Sequence, residues 1–332
     1  MSLWQLFDHT VSKQGTTSIG LTRVPVGSIE SPAAWLGKHM REEQAQWLTQ
    51  LSPQDIEELE QAIVAIEHAG LATEEVTKTN FRLPGLGLKI QRWRQCLSNG
   101  LGFIVIRGLP VNEWGEQKSA LAYWGMGHHL GLPGGQNPQG EVLGHVIDYG
   151  EEANSPNVRR YRTAGNIDFH CDAADVVGLL CLQPAKSGGQ SRIASSVALF
   201  NEAQRRIPQT IHRLFEPFAL DLRDEQAAGK PGFTSVQPCC WDGDTQLRTF
   251  YHSEYFRSAA RLDEVHIDAA AKQILDTYDE LGLDEHYHLD MWLEPGDMQF
   301  VSNHTTLHAR TAYEDSTNPE RRRHLLRLWL SL

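Results

Sequence analysis

The chain has 332 residues and a formal net charge of −12, with 40% hydrophobic and 22% charged residues. This composition is that of a globular protein, and the acidic balance argues against nucleic acid or an anionic membrane as the main partner. No apolar run is long enough to cross a bilayer, and the N-terminus lacks the basic and apolar regions of a signal peptide. The five cysteines have no regular spacing, which is typical of a reducing compartment. We therefore predict a cytoplasmic protein.

The first hundred residues have the pattern of helices. A helix is predicted to begin at Pro53, behind a serine N-cap, and to end at Gly70, because apolar residues recur between them at helical spacing. A second helix is predicted to close at Gly100, and a third spans 112–130. We predict that residues 1–100 form a mainly helical N-terminal region packed on the rest of the chain.

Beyond residue 100 the pattern changes to short apolar runs between turn residues. The run from Gly102 to Gly108 predicts a buried strand. Helices at about 197–206 and 268–282 interrupt the later runs. The further predicted strands are 142–148, 158–164, 176–182, 190–195, 246–252, 287–293, 297–301 and 322–330. Many short strands indicate a sandwich or barrel, so we predict an α+β fold in which residues 101–332 form one unit.

The stretch 222–246 contains several glycines and prolines and few periodic residues. It predicts a long loop, and long loops in compact domains often act as lids. The following segment, 251–256, includes Tyr255 and is expected to line or cover a pocket. Ordinary loop and barrel packing is the alternative for both segments.

Three His-x-Asp triplets occur, and with 15 histidines about one is expected by chance. On a strand, residues i and i+2 point to the same face, so His and Asp at this spacing can bind one metal. A second histidine from elsewhere completes a 2-His-1-carboxylate triad, which leaves open positions suited to Fe(II) oxygenase chemistry. A closed structural zinc site would need four protein ligands.

Context selects among the triplets. Asp268 precedes a helical pattern and is predicted to be its N-cap. The triplet at His288 lies only about 20 residues before the distal histidines, and we predict exposed polar positions on an edge strand. The triplet His170-Cys171-Asp172 is separated from the distal histidines by a segment long enough to form most of a barrel, so the two parts of the site can come from different strands. On spacing alone, the distal ligand is either His304 or His308.

The segment 323–330 reads as a strand with two different faces. Arg323, Arg327 and Trp329 share one face, whereas His324 and three leucines on the other face look like core. Two arginines beside a tryptophan indicate a pocket for an anion, since a guanidinium binds a carboxylate through two hydrogen bonds. A basic edge strand is the alternative.

Together these residues resemble the TauD/TfdA family of Fe(II)- and 2-oxoglutarate-dependent dioxygenases, which includes clavaminate-synthase-like enzymes. The resemblance runs from about Gly102 to Leu330, and the first 80 or so residues carry none of it. The matching pieces follow the family's order and are 102–110, His170-Cys171-Asp172, 187–191, 303–310 and 323–327.

The resemblance implies a double-stranded β-helix, the cupin-like jelly-roll core, with flanking helices. It implies iron on His170, Asp172 and His308. It also implies that Arg323 pairs with the distal carboxylate of 2-oxoglutarate. Ser191 stands where members commonly carry a threonine that hydrogen-bonds the same carboxylate.

The implied activity is oxidation of a C–H bond with O2, releasing succinate and CO2. The carboxylate at Asp172 favours hydroxylation over the halogenation carried out by relatives that lack it. Arg327 matches a position that contacts an anionic substrate group in some members. We expect a small substrate, anionic or amino-acid-like, with Arg327 and Tyr255 among the residues that bind it.

Two alternatives stay open on the sequence. A metal-dependent hydrolase would use zinc on the same three ligands and an acid or base beside them, for which Asp175 is the close candidate. A jelly-roll protein that only binds its ligand would be expected to have a broken triad.

Overall fold

The computed structural model describes residues 24–332 except 138, 151–159 and 242–245. The α-helices in this part of the chain are α1 Gly37–Glu42, α2 Pro53–Ala69, α3 Leu86–Asn99, α4 Val111–Leu130, α5 Ser196–Arg206, α6 Ser253–Ser258 and α7 Ala269–Leu283. The strands are β1 Leu48–Gln50, β2 Phe103–Arg107, β3 Leu132–Gly134, β4 Leu143–Val146, β5 Ile167–His170, β6 Val176–Gln183, β7 Ser187–Gly188, β8 Ser191–Ser195, β9 Phe218–Asp221, β10 Phe233–Val236, β11 Cys239–Trp241, β12 Leu247–Thr249, β13 His288–Met291, β14 Met298–Ser302, β15 Thr306–Arg310, β16 Tyr313–Glu314 and β17 His324–Ser331.

Two sheets form the centre of the molecule. The larger runs in the order β1-β2-β14-β6-β17-β3, with β4 also paired to β17, and the smaller runs β13-β8-β15-β5. Every pairing in them is antiparallel except that of β1 with β2. Buried residues of both sheets, such as Val177 and Leu307, belong to one hydrophobic cluster. This architecture agrees with the predicted jelly-roll core.

Helices α2, α3 and α4 cover the other face of the larger sheet. Alternate residues of β2 show the two-sided burial, since Phe103 joins the cluster shared by the two sheets and Ile104 joins the cluster formed with the helices. Helix α2 begins as predicted, with a Ser52 capping box, and ends at Gly70 in the left-handed conformation. Among the described residues, no helix is long and apolar enough to span a bilayer.

The strand predicted at 158–164 is wrong. In the predicted strand 158–164, residues 158 and 159 lie outside the described residues and 160–162 form a single 3-10 turn. The strand lies later, at β5. Tyr161 instead packs its ring at 4.3 Å from the Arg327 guanidinium carbon, so a tertiary contact overrides the strand propensity of this run.

The predicted loop 222–246, of which residues 242–245 lie outside the described residues, is in part paired strand. It contains β10 and β11, which form hairpin pairings with β9 and β12. The chain turns after β9 through Arg223 and Asp224, both with positive φ. A role for this segment as a lid remains a prediction.

The face prediction for 323–330 holds except at His324. The leucines Leu326, Leu328 and Leu330 are buried under the helices, as predicted. A register irregularity follows His324, whose partner is Gln183 while the next residue pairs with Cys181. His324 is therefore only half-buried, and its ring contacts that of His145 rather than the core.

Candidate metal centre and cavity

Strand pairing brings two histidines together. His170 ends β5, and the β5–β15 register places it directly opposite His308, with ring centroids 4.2 Å apart. Asp172 lies two residues beyond the strand. Its carboxylate oxygens lie 3.8 Å from His170 Nε2 and 3.6 Å from His308 Nε2. One ligand atom from each of the three lies within 4.8 Å of the others.

The position of Asp172 depends on contacts outside β5, which departs from the expectation that both ligands share a strand face. The Asp172 backbone N–H donates to Asn303 Oδ1 at 2.9 Å, and the Asn303 amide donates to the Ala174 carbonyl at 3.0 Å. The Trp329 indole N–H donates to Asp172 Oδ2 at 2.9 Å. The carboxylate is therefore oriented by β17 and by the turn before β15.

Burial and neighbouring charges together shift the pKa values of His170 and Asp172. Burial and, after it, the charge of His308 lower the pKa of His170 to about 4. Burial by itself raises the pKa of Asp172, but the hydrogen bond and charge of His308 and the charge of Arg327 outweigh it and hold that pKa below its usual range. His170 Nδ1 lies 2.8 Å from the Asp168 carbonyl, which favours the tautomer that leaves Nε2 free for a metal.

The other candidate histidines lie elsewhere. Asp268 caps α7 through the Ala271 N–H, as predicted. His288 lies on the edge strand β13, but the prediction that it is exposed is wrong. It is buried, and its Nδ1 lies 3.0 Å from the Gly282 carbonyl because helix α7 packs against this end of the strand. His304 pairs with Asp175 at 2.8 Å.

The triad opens onto a cavity of about 180 Å³ between the two sheets. Its polar wall residues include Arg223, His252, Tyr255, Gln299, Ser191, Arg310, Arg323 and Arg327. Its apolar wall residues include Val146, Val177, Leu179, Leu220, Phe250 and Val301. The carboxylate and the two imidazoles of the triad and several guanidinium groups thus line the same cavity.

Two of these arginines are buried and keep N–H donors that make no hydrogen bond within the described residues. Arg323 is 5% exposed and Arg310 is 6% exposed. Among the described residues, Arg323 Nη1 and Arg310 Nε and Nη1 have no hydrogen-bond partner. Burial, followed by the neighbouring charge of Arg323, lowers the pKa of Arg310 to about 10. Buried donors of this kind fit an anion in the cavity, since burying an uncompensated charge is costly.

Sequence reasoning missed Arg310. The signal was present, because Arg310 follows His308 by two residues on one strand and therefore faces the same way. Ser191 lies directly opposite Arg310 in the β15–β8 register. The Ser191 hydroxyl donates to Gln299 Oε1 at 2.7 Å, so its oxygen keeps capacity to accept a hydrogen bond.

Arg327 and Tyr255 occupy different parts of the wall. The Arg327 guanidinium carbon lies 5.3 Å from the Trp329 ring, and its Nε donates to Gln136 Oε1 at 2.6 Å. Tyr255 lies on α6 and stacks on His252 with ring centroids 3.7 Å apart. The His252 ring lies 5.0 Å from that of His170, so this aromatic pair borders the metal site.

Comparison with known proteins places these features in a family context. The family model described as "Taurine catabolism dioxygenase TauD, TfdA family" matches residues 66–329. The match begins earlier than the resemblance noted from motifs, which starts near Gly102. FR-33289 synthase of Streptomyces rubellomurinus is 30% identical over 302 residues, covering 88% of this chain and 87% of that protein. Taurine hydroxylase-like protein SAT17 of Stachybotrys chartarum is 29% identical over 315 residues, covering 91% and 79%.

Solved structures share the fold at low identity. Asparagine oxygenase in complex with Fe(II), 2S,3S-3-hydroxyasparagine and succinate superimposes with a TM-score of 0.67 at 17% identity, covering 86% of this chain and 93% of that one. Non-haem iron oxygenase OrfP in complex with Fe and alpha-ketoglutaric acid gives a TM-score of 0.62 at 13% identity, covering 86% and 94%.

The indole hydrogen bond to Asp172 predicts a specific effect on metal affinity. Trp329→Phe keeps an aromatic ring in place but removes the N–H donor, so the carboxylate loses one of the groups that orient it. We expect divalent metal to bind about 10-fold more weakly, measured by equilibrium dialysis with Co²⁺. Trp292→Phe, at an exposed position, is the control and leaves the affinity unchanged. Equal affinity of Trp329→Phe and wild type would contradict the orienting role.

Proposed function

Since this chain belongs to the TauD/TfdA family of Fe(II)- and 2-oxoglutarate-dependent dioxygenases, we propose that His170, Asp172 and His308 hold its iron. The family prediction made from the sequence is confirmed, and the protein is an oxygenase of this class. Bound iron, with 2-oxoglutarate and O2, supplies oxidation of a C–H bond of a small organic substrate with release of succinate and CO2. The observation that carries the assignment is the convergence of the triad and the buried arginines on one cavity.

The donor set fits the metal. Two imidazoles and one carboxylate form a 2-His-1-carboxylate group, which leaves coordination positions for other ligands. Within the chain, the Asp168 carbonyl orients His170, and Trp329 and Asn303 orient Asp172. These contacts hold the ligands in place before the metal arrives, so less ordering is needed when it binds.

We assign the distal carboxylate of 2-oxoglutarate to Arg323, as the family resemblance implies. Its buried Nη1 donor supports this role. Arg310, which lines the same cavity, adds a second positive charge. The Ser191 hydroxyl, opposite Arg310 on β8, is the candidate for a further hydrogen bond. A dicarboxylate held by such groups repays the cost of burying the arginines.

The substrate that we propose is a small anionic or amino-acid-like molecule. Arg327 offers a guanidinium on the cavity wall near Trp329, and the stacked pair of His252 and Tyr255 offers a flat aromatic surface beside His170. Structural neighbours contain hydroxylated asparagine and L-Arg derivatives in their complexes, and one relative is described as taurine hydroxylase-like. All of these molecules carry an acidic group.

Neither alternative from the sequence is favoured. In a hydrolase, Asp175 would need to reach a metal-bound water. Instead it accepts a hydrogen bond from the Leu332 N–H and pairs with His304. A purely binding protein is disfavoured because all three members of the triad are present and close together.

The ligand assignment predicts a sharp contrast between histidines. His308→Ala removes one of three protein ligands, so we expect loss of Fe(II)-dependent conversion of 2-oxoglutarate to succinate and loss of stoichiometric iron. His266→Ala and His288→Ala should keep their iron, since neither residue contacts the cavity. Iron per chain and succinate formation measure the two effects. Loss of iron in His288→Ala with iron retained in His308→Ala would overturn the assignment.

The arginine assignment predicts a weaker co-substrate interaction. Arg323→Ala removes a charge-assisted contact worth about 3 kcal/mol, so the dissociation constant for 2-oxoglutarate should rise roughly 100-fold. Binding is followed by the visible absorbance of the anaerobic Fe(II) complex. The neighbouring Arg322→Ala serves as a matched control, because Arg322 is exposed. An unchanged constant in Arg323→Ala would refute the role of this residue.

The substrate assignment predicts a charge requirement. In a screen of L-amino acids, taurine and uncharged analogues for substrate-stimulated succinate formation, accepted compounds should carry a carboxylate or sulfonate. Arg327→Gln should then raise the KM for an accepted compound by about 10- to 100-fold, since one charged hydrogen bond contributes about 1.5–3 kcal/mol. Arg248→Gln, at an exposed position of β12, provides the control. Efficient turnover of only uncharged compounds would contradict the proposal.

A further inference from the structure

A second group of metal-ligand side chains lies apart from the residues that line the cavity. It consists of Glu116 on α4, His145 on β4 and His324 on β17. One ligand atom from each lies within 4.8 Å of the others. His145 Nδ1 and His324 Nε2 are 2.8 Å apart. The Glu116 carboxylate oxygens lie 4.0 Å from His145 Nδ1 and 3.8 Å from His324 Nδ1.

Local backbone irregularities bring the three side chains together. Helix α4 is interrupted at Gly115, whose φ of 70° and ψ of 178° lie outside the helical region, and Glu116 follows this kink. On β17, the irregular register after His324 separates its side chain from the buried leucines that follow. His145 lies opposite Leu326 in the β17–β4 register, and Leu326 is two residues beyond His324 on β17. The side chains of His145 and His324 therefore lie near each other on one face of the sheet.

The donor set matches borderline divalent metals. Two imidazoles and a carboxylate suit Zn²⁺, with water as a fourth ligand, and the partial exposure of the site leaves room for that water. Zinc–nitrogen bonds of about 2.0–2.1 Å in a tetrahedral site place two nitrogens roughly 3.3 Å apart. The observed separation of 2.8 Å between His145 Nδ1 and His324 Nε2 is about 0.5 Å shorter, so a bound ion would move the two rings apart by that amount.

The protonation state also favours a metal. The 2.8 Å approach of His145 Nδ1 and His324 Nε2 requires at least one of the two nitrogens to be unprotonated, and an unprotonated ring nitrogen is the form that binds a metal. Burial lowers the pKa of His324, the Glu116 charge opposes this shift and the His145 charge adds to it. The His324 ring is thus biased towards the neutral form that metals bind.

We propose that Glu116, His145 and His324 form a second divalent-metal site that binds a zinc-class ion, separate from the iron site. The site joins helix α4 to strands β4 and β17. Arg323 directly precedes His324, the first residue of β17, and Arg327 follows it by three residues. On β4, the cavity residue Val146 follows His145. An ion bound to these three residues would connect helix α4 to strands β4 and β17, next to the cavity residues Val146, Arg323 and Arg327.

The test counts zinc in protein that lacks the first site and carries no affinity tag. Asp172→Ala/His308→Ala removes two of the three iron-site ligands. After equilibrium dialysis against micromolar Zn²⁺, we expect two ions per chain in wild type, one in this double variant and none when His324→Ala is added. Co²⁺ gives a second readout, since its visible absorption reports nitrogen and oxygen ligation.

Glu116→Gln covers the case in which His324→Ala disturbs folding. Glu116 is exposed, so this change should leave the thermal midpoint of the metal-free protein unaltered while weakening Zn²⁺ binding in the double variant about 10-fold. His212→Ala, another histidine near a glutamate on the surface, should leave the stoichiometry at one. Absence of zinc from the double variant would overturn the proposal. Retention of that ion with unchanged affinity in both His324→Ala and Glu116→Gln would overturn it as well.

Discussion

The register of strand β15 is the constraint on which the rest of the cavity depends. β15 lies between β5 and β8, and its pairing places His308 opposite His170 and Arg310 opposite Ser191. One strand thus contributes both to the metal triad and to the arginine wall. A slip of one residue would turn both side chains away from the cavity, because neighbouring side chains on a strand point to opposite faces.

A second constraint is electrostatic. The chain carries a net charge of −12, yet the cavity concentrates guanidinium groups from Arg310, Arg323 and Arg327. Desolvating such groups is costly unless an anion compensates them. The jelly-roll core can bear this cost because its many apolar contacts, shared between the two sheets and the covering helices, stabilise the fold around the cavity. Net charge therefore says little about the charge that a bound molecule meets.

Strand β17 links the separate parts of the molecule. Its inner face supplies Arg327 and the Trp329 indole that orients Asp172, and its outer leucines pack beneath the helices. Arg323, which directly precedes the strand, lines the cavity, and His324, its first residue, lies beside Glu116 and His145. Movement of this strand would therefore displace Trp329 from Asp172 and Arg327 from the cavity wall together.

Several features follow from the sequence because their signals are local or ordered. The helix Pro53–Ala69 is predictable because its N-cap, its apolar spacing and its terminal glycine all lie within or next to it. The His-x-Asp triplet, the distal histidine and the two arginines occur in an order specific enough to identify the family. The same order selects His170, Asp172 and His308, and the structure brings these three together. Their roles in binding iron remain a prediction, as do those of Arg323, Ser191, Arg327 and Tyr255.

Other features are decided only by the tertiary structure. The Trp329 and Asn303 contacts to Asp172 join residues 157 and 131 positions apart, and no local period reports such a contact. The hairpin strands in 222–246 and the exposure of His324 depend on which strand pairs with which, and at what register. The sequence alone determined the family and the jelly-roll class, and its resemblance to the family named the three residues that the structure brings together. The convergence of these groups on one cavity required the folded chain, because distances between remote side chains arise from strand pairing and helix packing together.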